Sequence, residues 1–191
     1  MKKQIKAGIS VRHLHVCAGD MEKLLGRGQK LTKVKDLSQK GQFAASQTVT
    51  LAGPKGSIEN VRILGPERER TQVEVCVSDL YELGLSAPVR DSGDTAGTPG
   101  IVIIGPKGAV QIKEGLICAK RHIHMTPEDA REFGLRDRDE VSVKTTGERS
   151  VIFQKTLVRV DVSYVLEFHI DTYEANCAGI SNGDEVEILS K

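Results

Sequence analysis

The pattern basic-His-apolar-His occurs twice, as RHLH at Arg12 to His15 and RHIH at Arg121 to His124, and each copy runs directly into a short helix signal. Any fold for this chain must therefore hold the same strand-helix unit in both halves. The copies read RHLHVCAGDMEKLLG and RHIHMTPEDAREFG, for which an internal duplication is the economical explanation. In the second copy Thr126 can cap, Pro127 fits the first helical position, Glu128 and Asp129 suit the positive end, and Gly134 can terminate the helix. The first copy ends the same way at Gly26.

Around these units lie short alternating runs separated by turn signals: QVEVCV at 72–77, GIVIIG at 100–105, EVSVK at 140–144 and EVEIL at 185–189. Such spacing predicts a mainly β chain of small barrels or a sandwich, not a parallel α/β sheet. A second echo, AGPKGSI at Ala52 and IGPKGAV at Ile104, reads as a Gly-Pro-Lys-Gly turn between two strands in each case. No GK[ST] and no predicted helix follows either copy, which argues against a phosphate cradle. The stretch APVRDSGDTAGTPG, 87–100, reads as a long loop, and loops of this length tend to serve function.

Composition narrows the partners. With 27 Lys and Arg against 26 Asp and Glu, the formal net charge is +1, so no global field attracts nucleic acid or an anionic membrane. Aromatic residues make up 4% and Trp is absent, which disfavours a base-stacking platform. The basic start lacks an apolar signal segment and no apolar run approaches a membrane span, so the chain is expected to be cytoplasmic and to act on small molecules. Cys17, Cys76, Cys118 and Cys177 show no CxxC spacing and are expected to be reduced and mostly buried.

On a strand, residues i and i+2 project from one face about 6.5–7 Å apart, so His13 with His15, and His122 with His124, can each converge on a metal. About 0.13 HxH pairs are expected by chance at this histidine frequency, so two pairs, both preceded by Arg, point to a site. Catalytic zinc usually takes three protein ligands, and each pair therefore needs a third. In VLEFHID, His169 shares a polar face with Val165, Glu167 and Asp171, where a carboxylate can orient an imidazole. In QVEVCV, Gln72, Glu74 and Cys76 share a face, and Glu74 is a candidate oxygen donor. Taken alone, His169 reads equally as a core histidine and Glu74 as a solvent-facing strand residue.

Together RHLH, LSQKGQFAASQTV, GPERERTQVEV, PVRDSGD, RHIHM and LVRVDVSYVLEFHIDTYEAN resemble the PduL-type phosphotransacylases, also called phosphate propanoyltransferases, over nearly the whole chain. The resemblance implies two small β-barrels capped by short α-helices. Residues 2–11 and 120–189 would form one barrel, and 12–119 the other, with a small excursion near 26–46. It implies that His122, His124 and His169 bind one zinc, with a position open to the coenzyme A sulfur, and that His13, His15 and Glu74 bind a second metal. Arg68 is similar to the family's phosphate arginine, Ser92 and Arg159 match further active-site positions, and Gln42 and Gln72 match polar lining residues near the coenzyme. A homodimer is a further expectation.

The implied reaction interconverts a short acyl-CoA plus phosphate with acyl phosphate plus CoA. Phosphate is already an anion, so direct attack on the thioester needs no general base, and an Arg can position it bidentately. The competing route is an acyl-enzyme on Cys17 or Cys118. A binuclear metal hydrolase is the second enzyme reading, but barrel hydrolases of that kind need about 250 residues and additional ligands. A cupin would want a glutamate a few residues after HxH, where helix signals begin instead. A non-catalytic metal-binding module is the remaining alternative. Relatives found in bacterial microcompartments carry an amphipathic N-terminal extension, and only twelve residues precede His13 here, which favours a free cytosolic enzyme.

Overall fold

A computed structural model describes residues 4–189. In chain order the first strands and helices are β1 (Gln4–Ser10), β2 (His13–His15), α1 (Ala18–Leu25), β3 (Lys33–Asp36), β4 (Phe43–Ala52), β5 (Ser57–Gly65), β6 (Gln72–Glu74), α2 (Val77–Leu83) and β7 (Val89–Arg90). They are followed by β8 (Ile101–Ile104), β9 (Ala109–Ile112), β10 (Leu116–Ala119), β11 (His122–Met125), α3 (Pro127–Phe133), β12 (Glu140–Lys144), β13 (Ile152–Val160), β14 (Glu167–Asp171), α4 (Thr172–Ala178) and β15 (Glu185–Leu189). The chain is mainly β with short capping helices, and no described helix is long and apolar enough to cross a membrane.

Two compact units emerge. One comprises Val11 and the described residues before it, Ser38–Lys40, and the described residues from Lys120 onward; the other comprises Arg12–Leu37 and Gly41–Ala119. The first unit is a closed barrel in the order β1-β14-β11-β13-β12-β15. Its interior is filled by Ile5, Ala7, Ile123, Met125, Val141, Val143, Phe168, Ile170, Val186 and Ile188, the alternate residues of five strands. The intervening residues, His122, His124, Glu167 and His169, therefore face away from the barrel core. In the second unit nine strands form a half-barrel sheet in the order β7-β10-β6-β2-β5-β4-β8-β9, with β3 pairing β4 beside that path. Leu14, Val16, Val73 and Val75 enter its core, so His13, His15, Gln72 and Glu74 lie on the opposite side of their strands.

The duplication seen in the sequence is fourfold in the structure: β2-α1 and β6-α2 in one unit, β11-α3 and β14-α4 in the other. Each helix has an acid at its third position: Asp20, Asp79, Asp129 or Glu174. In three of them that carboxylate accepts the N–H of the capping residue, from Cys76, Thr126 and Asp171. In α1 the same link passes through Thr71, whose Oγ accepts from Cys17 N and donates to Asp20. Helices α2, α3 and α4 end at a left-handed glycine, after which Leu85, Leu135 and Ile180 donate back to Leu80, Ala130 and Ala175.

This repeat corrects the reading of QVEVCV as one strand. Strand β6 stops at Glu74, because the Asp79 carboxylate takes the Cys76 N–H and starts α2 at Val77. It also explains the arginine before each histidine pair: Arg12 Nη2 lies 2.7 Å from Asp79 Oδ1, and Arg121 Nη1 lies 2.7 Å from Glu174 Oε1. In both units, the arginine of one strand-helix repeat therefore holds the capping acid of the other.

The Gly-Pro-Lys-Gly echoes are turns, joining β4 to β5 and β8 to β9. Each also caps a helix from outside, since Lys55 N donates to the Leu83 carbonyl at the end of α2 and Lys107 N to the Leu24 carbonyl at the end of α1. Backbone meets backbone there: a Cβ on Gly53 or Gly105 would run into that same carbonyl oxygen. Gly53→Ala and Gly105→Ala are each expected to cost about 1–3 kcal/mol through overpacking, read as a lower urea midpoint with unchanged slope.

Candidate metal centres

Pairing between the strand-helix repeats assembles two clusters in the same register. On β2 and β6, His13 is opposite Glu74 and His15 opposite Gln72; on β11 and β14, His122 is opposite His169 and His124 opposite Glu167. Each HxH pair thus gains its third donor from the residue facing its first histidine. In each set, His13-His15-Glu74 and His122-His124-His169, the donor atoms lie within 4.8 Å of one another.

The donor chemistry fits a metal in both. His15 Nδ1 and both ring nitrogens of His124 are buried with no hydrogen-bond partner, a costly state for polar atoms that a metal would relieve. His122 Nδ1 lies 2.8 Å from the Lys120 carbonyl, to which it must donate, and this leaves the Nε2 lone pair for a metal. The three-histidine set contains no carboxylate, whereas the other set contributes that of Glu74.

Electrostatics keep the histidines available as ligands. His15 is pushed down to about 3 by burial, by the Arg68 guanidinium and by His13. His124 is pushed down to about 2 by burial, by its neighbours His122 and His169, and by Arg159. Burial alone would raise the Glu74 carboxyl, but His13, at 3.6 Å, and the Ser92 hydroxyl outweigh it and hold it below the usual carboxylate range. Both histidines bind a proton less readily folded than unfolded, so without metal the protein loses stability as pH falls below about 6.5, where unfolded histidine titrates. Each contributes a slope of up to about 1.4 kcal/mol per pH unit in that window. Urea midpoints measured in chelator between pH 7 and 5 should show this slope, and His124→Asn should flatten it.

The other sequence candidates divide. Ser92 Oγ donates to Glu74 Oε1 at 2.7 Å. Gln72 Nε2 donates to the same oxygen and to Ser92, and its Oε1 accepts from Gly93 N, so the amide braces the 87–100 loop against Glu74. Arg68 is tied through its backbone N–H to Val16 and acts electrostatically on His15. Arg159 is opposite His124 in register, with its guanidinium 5.6 Å from the Tyr164 ring centre. Gln42 lies in the turn between β3 and β4, where its backbone carbonyl accepts from Leu37 N. None of the four cysteines is in a disulfide; Cys76 and Cys118 are buried and Cys177 is exposed.

Sequence reasoning passed over Tyr164, whose ring stacks on His124 with centroids 3.9 Å apart. It also passed over Ser38 and Gln39, both bonded to Glu167. Spacing gave no signal for them, because Ser38 and Gln39 act on a residue more than a hundred positions away and Tyr164 on one separated from it by α3, β12 and β13.

The family model described as phosphate propanoyltransferase matches residues 6–181. The phosphate propanoyltransferase of Thermotoga maritima is 54% identical over 186 residues, covering 97% of this chain and 89% of the relative. That of Lachnoclostridium phytofermentans is 52% identical, covering 97% and 87%. That of Rhodopseudomonas palustris is 48% identical, covering 98% and 83%.

Proposed function

The chain belongs to the phosphate propanoyltransferase family, and from that premise we propose that it interconverts a short acyl-CoA and phosphate with acyl phosphate and CoA, in a metal-dependent reaction on acetyl or propanoyl groups. The observation that carries this reading is the gathering of three ligand-capable side chains in each cluster, with one histidine held far below its ordinary value beside an arginine: His15 with Arg68, and His124 with Arg159. Such a cluster offers metal donors and a positive charge for an anion together.

Phosphate oxygen attacks the thioester carbonyl, the new C–O bond forms, the C–S bond breaks, and the electron pair leaves on sulfur as thiolate. His122, His124 and His169 hold one divalent ion and His13, His15 and Glu74 another, with zinc the assignment that suits imidazole-rich sets. Bound there, such an ion supplies Lewis-acid stabilisation of thiolate or carbonyl oxygen. Arg68 positions phosphate, Arg159 neutralises charge gathering near His124, and Ser92 with Gln72 keeps Glu74 ionised and oriented. Gln42 is assigned to the coenzyme side. A homodimer free in the cytoplasm belongs to the same proposal.

The test is acyl transfer with acetyl-CoA and propanoyl-CoA beside metal content, on the wild type and a Cys17→Ala/Cys118→Ala variant. Turnover by the double variant within about twofold of wild type is expected. A folded but inactive double variant would overturn direct displacement, and metal binding without acyl transfer would favour the non-catalytic module.

A further inference from the structure

Three features of the barrel unit meet at one carboxylate that is not itself a metal donor. Glu167 Oε2 is 2.9 Å from His169 Nε2, accepts from the Ser38 hydroxyl, and lies 3.3 Å from Gln39 Nε2. The Gln39 amide is fixed by the backbone of Val165, donating to its carbonyl and accepting its N–H, both at 3.0 Å. Its two amide hydrogens are thereby spent on Val165 and Glu167, and it has none to give His169. An ionised carboxylate only accepts, so the His169 nitrogen facing Glu167 is the protonated one and Nδ1 keeps its lone pair.

The fourth part of the arrangement is a gap. Gly8 on β1 is paired with His169, and a Cβ at Gly8 would stand 2.7 Å from Glu167 Cδ and 3.0 Å from each carboxylate oxygen. A side chain of any size at this position would displace the carboxylate. In the half-barrel unit the equivalent register position, opposite the second histidine of the pair, is the neutral Gln72. The carboxylate is thus particular to the three-histidine cluster, where no ligand brings negative charge.

We propose that Glu167 is a positioning residue that sets the tautomer and orientation of His169 for metal binding, that Ser38 and Gln39 hold it, and that Gly8 is required to admit it. This rests on the metal-dependent reading above, but its test does not use turnover, so failure of the catalytic reading leaves it standing and its own failure leaves that reading intact.

The experiment uses the full chain with Glu167→Gln and, separately, Gly8→Ala, which leaves every polar group in place. Nitrogen-15 NMR of the metal-free protein near pH 8 reads the His169 tautomer, and zinc titration against a chromophoric chelator reads affinity. Wild type is expected to hold His169 as the Nε2–H form. Glu167→Gln should lose that preference and weaken zinc at the three-histidine site by about 10–100-fold. Gly8→Ala should move both readouts in the same direction, although alanine tolerates a strand interior better than glycine. Folded Glu167→Gln protein with an unchanged tautomer and zinc affinity would overturn the proposal, and so would a Gly8→Ala protein indistinguishable from wild type.

Discussion

His124→Ala is expected to lower acyl transfer by at least about 10³-fold, to remove one metal equivalent, and to leave the fold intact. The magnitude follows from Lewis-acid stabilisation of a transition state by about 4 kcal/mol, at 1.36 kcal/mol for each factor of ten. Survival of the fold follows from position. His124 lies outside the barrel core, and both its ring nitrogens are buried without partners, so the apo protein gains from their removal. Apo His124→Ala should accordingly unfold at equal or higher urea than apo wild type, while the holo comparison is reversed. Metal analysis, circular dichroism and coupled acyl transfer on one preparation check all three, and an active variant with full metal content would remove His124 from the site.

Arg12→Met is expected to be the most damaging change outside the clusters, by about 3–5 kcal/mol, because it leaves a buried carboxylate without its countercharge. Asp79 has a side-chain exposure of 2%, and it already carries the cap of α2 through the Cys76 N–H. The equivalent Arg121→Met should cost clearly less. Glu174 is 26% exposed, and burial already raises its carboxyl above the ordinary range, so it can take up a proton when Arg121 is lost. Urea unfolding of the two variants side by side measures the difference. Equal losses would mean that the two arginines do not act through the acids they face.

These expectations show where the sequence was readable and where it was not. Alternation on short strands was enough to separate His122 and His124 from Ile123 and Met125, because a strand offers only two faces. Thr126, Pro127 and Gly134 announced α3 because capping chemistry is local. Helix α2 was hidden: Val73, Val75 and Val77 continue the alternation past the real end of β6, and the signal that breaks it is a Cys76-Asp79 cap with no serine or threonine. The recurrence of Arg before HxH was visible, but its partners Asp79 and Glu174 lie in another repeat, which spacing alone does not reveal. The same holds for Gly-Pro-Lys-Gly, legible as a turn and silent about the helix end it covers. Glu74 and His169 entered as face assignments, and only strand register sets each of them opposite a histidine.

The placement of β1 bears on how the chain is made. Ala7 pairs with Phe168 and Ile5 with Val186, so β1 finds its two neighbours only after the whole of the half-barrel unit and most of its own barrel have been made. At about 5–20 residues per second, β1 waits on the order of ten seconds or more for them, while β2 to β10 pair among themselves, none farther apart in sequence than His13 and Glu74. Gly8 and Glu167 meet only at that closure. The three-histidine cluster is therefore expected to be the last part of the molecule to mature, after the half-barrel is complete.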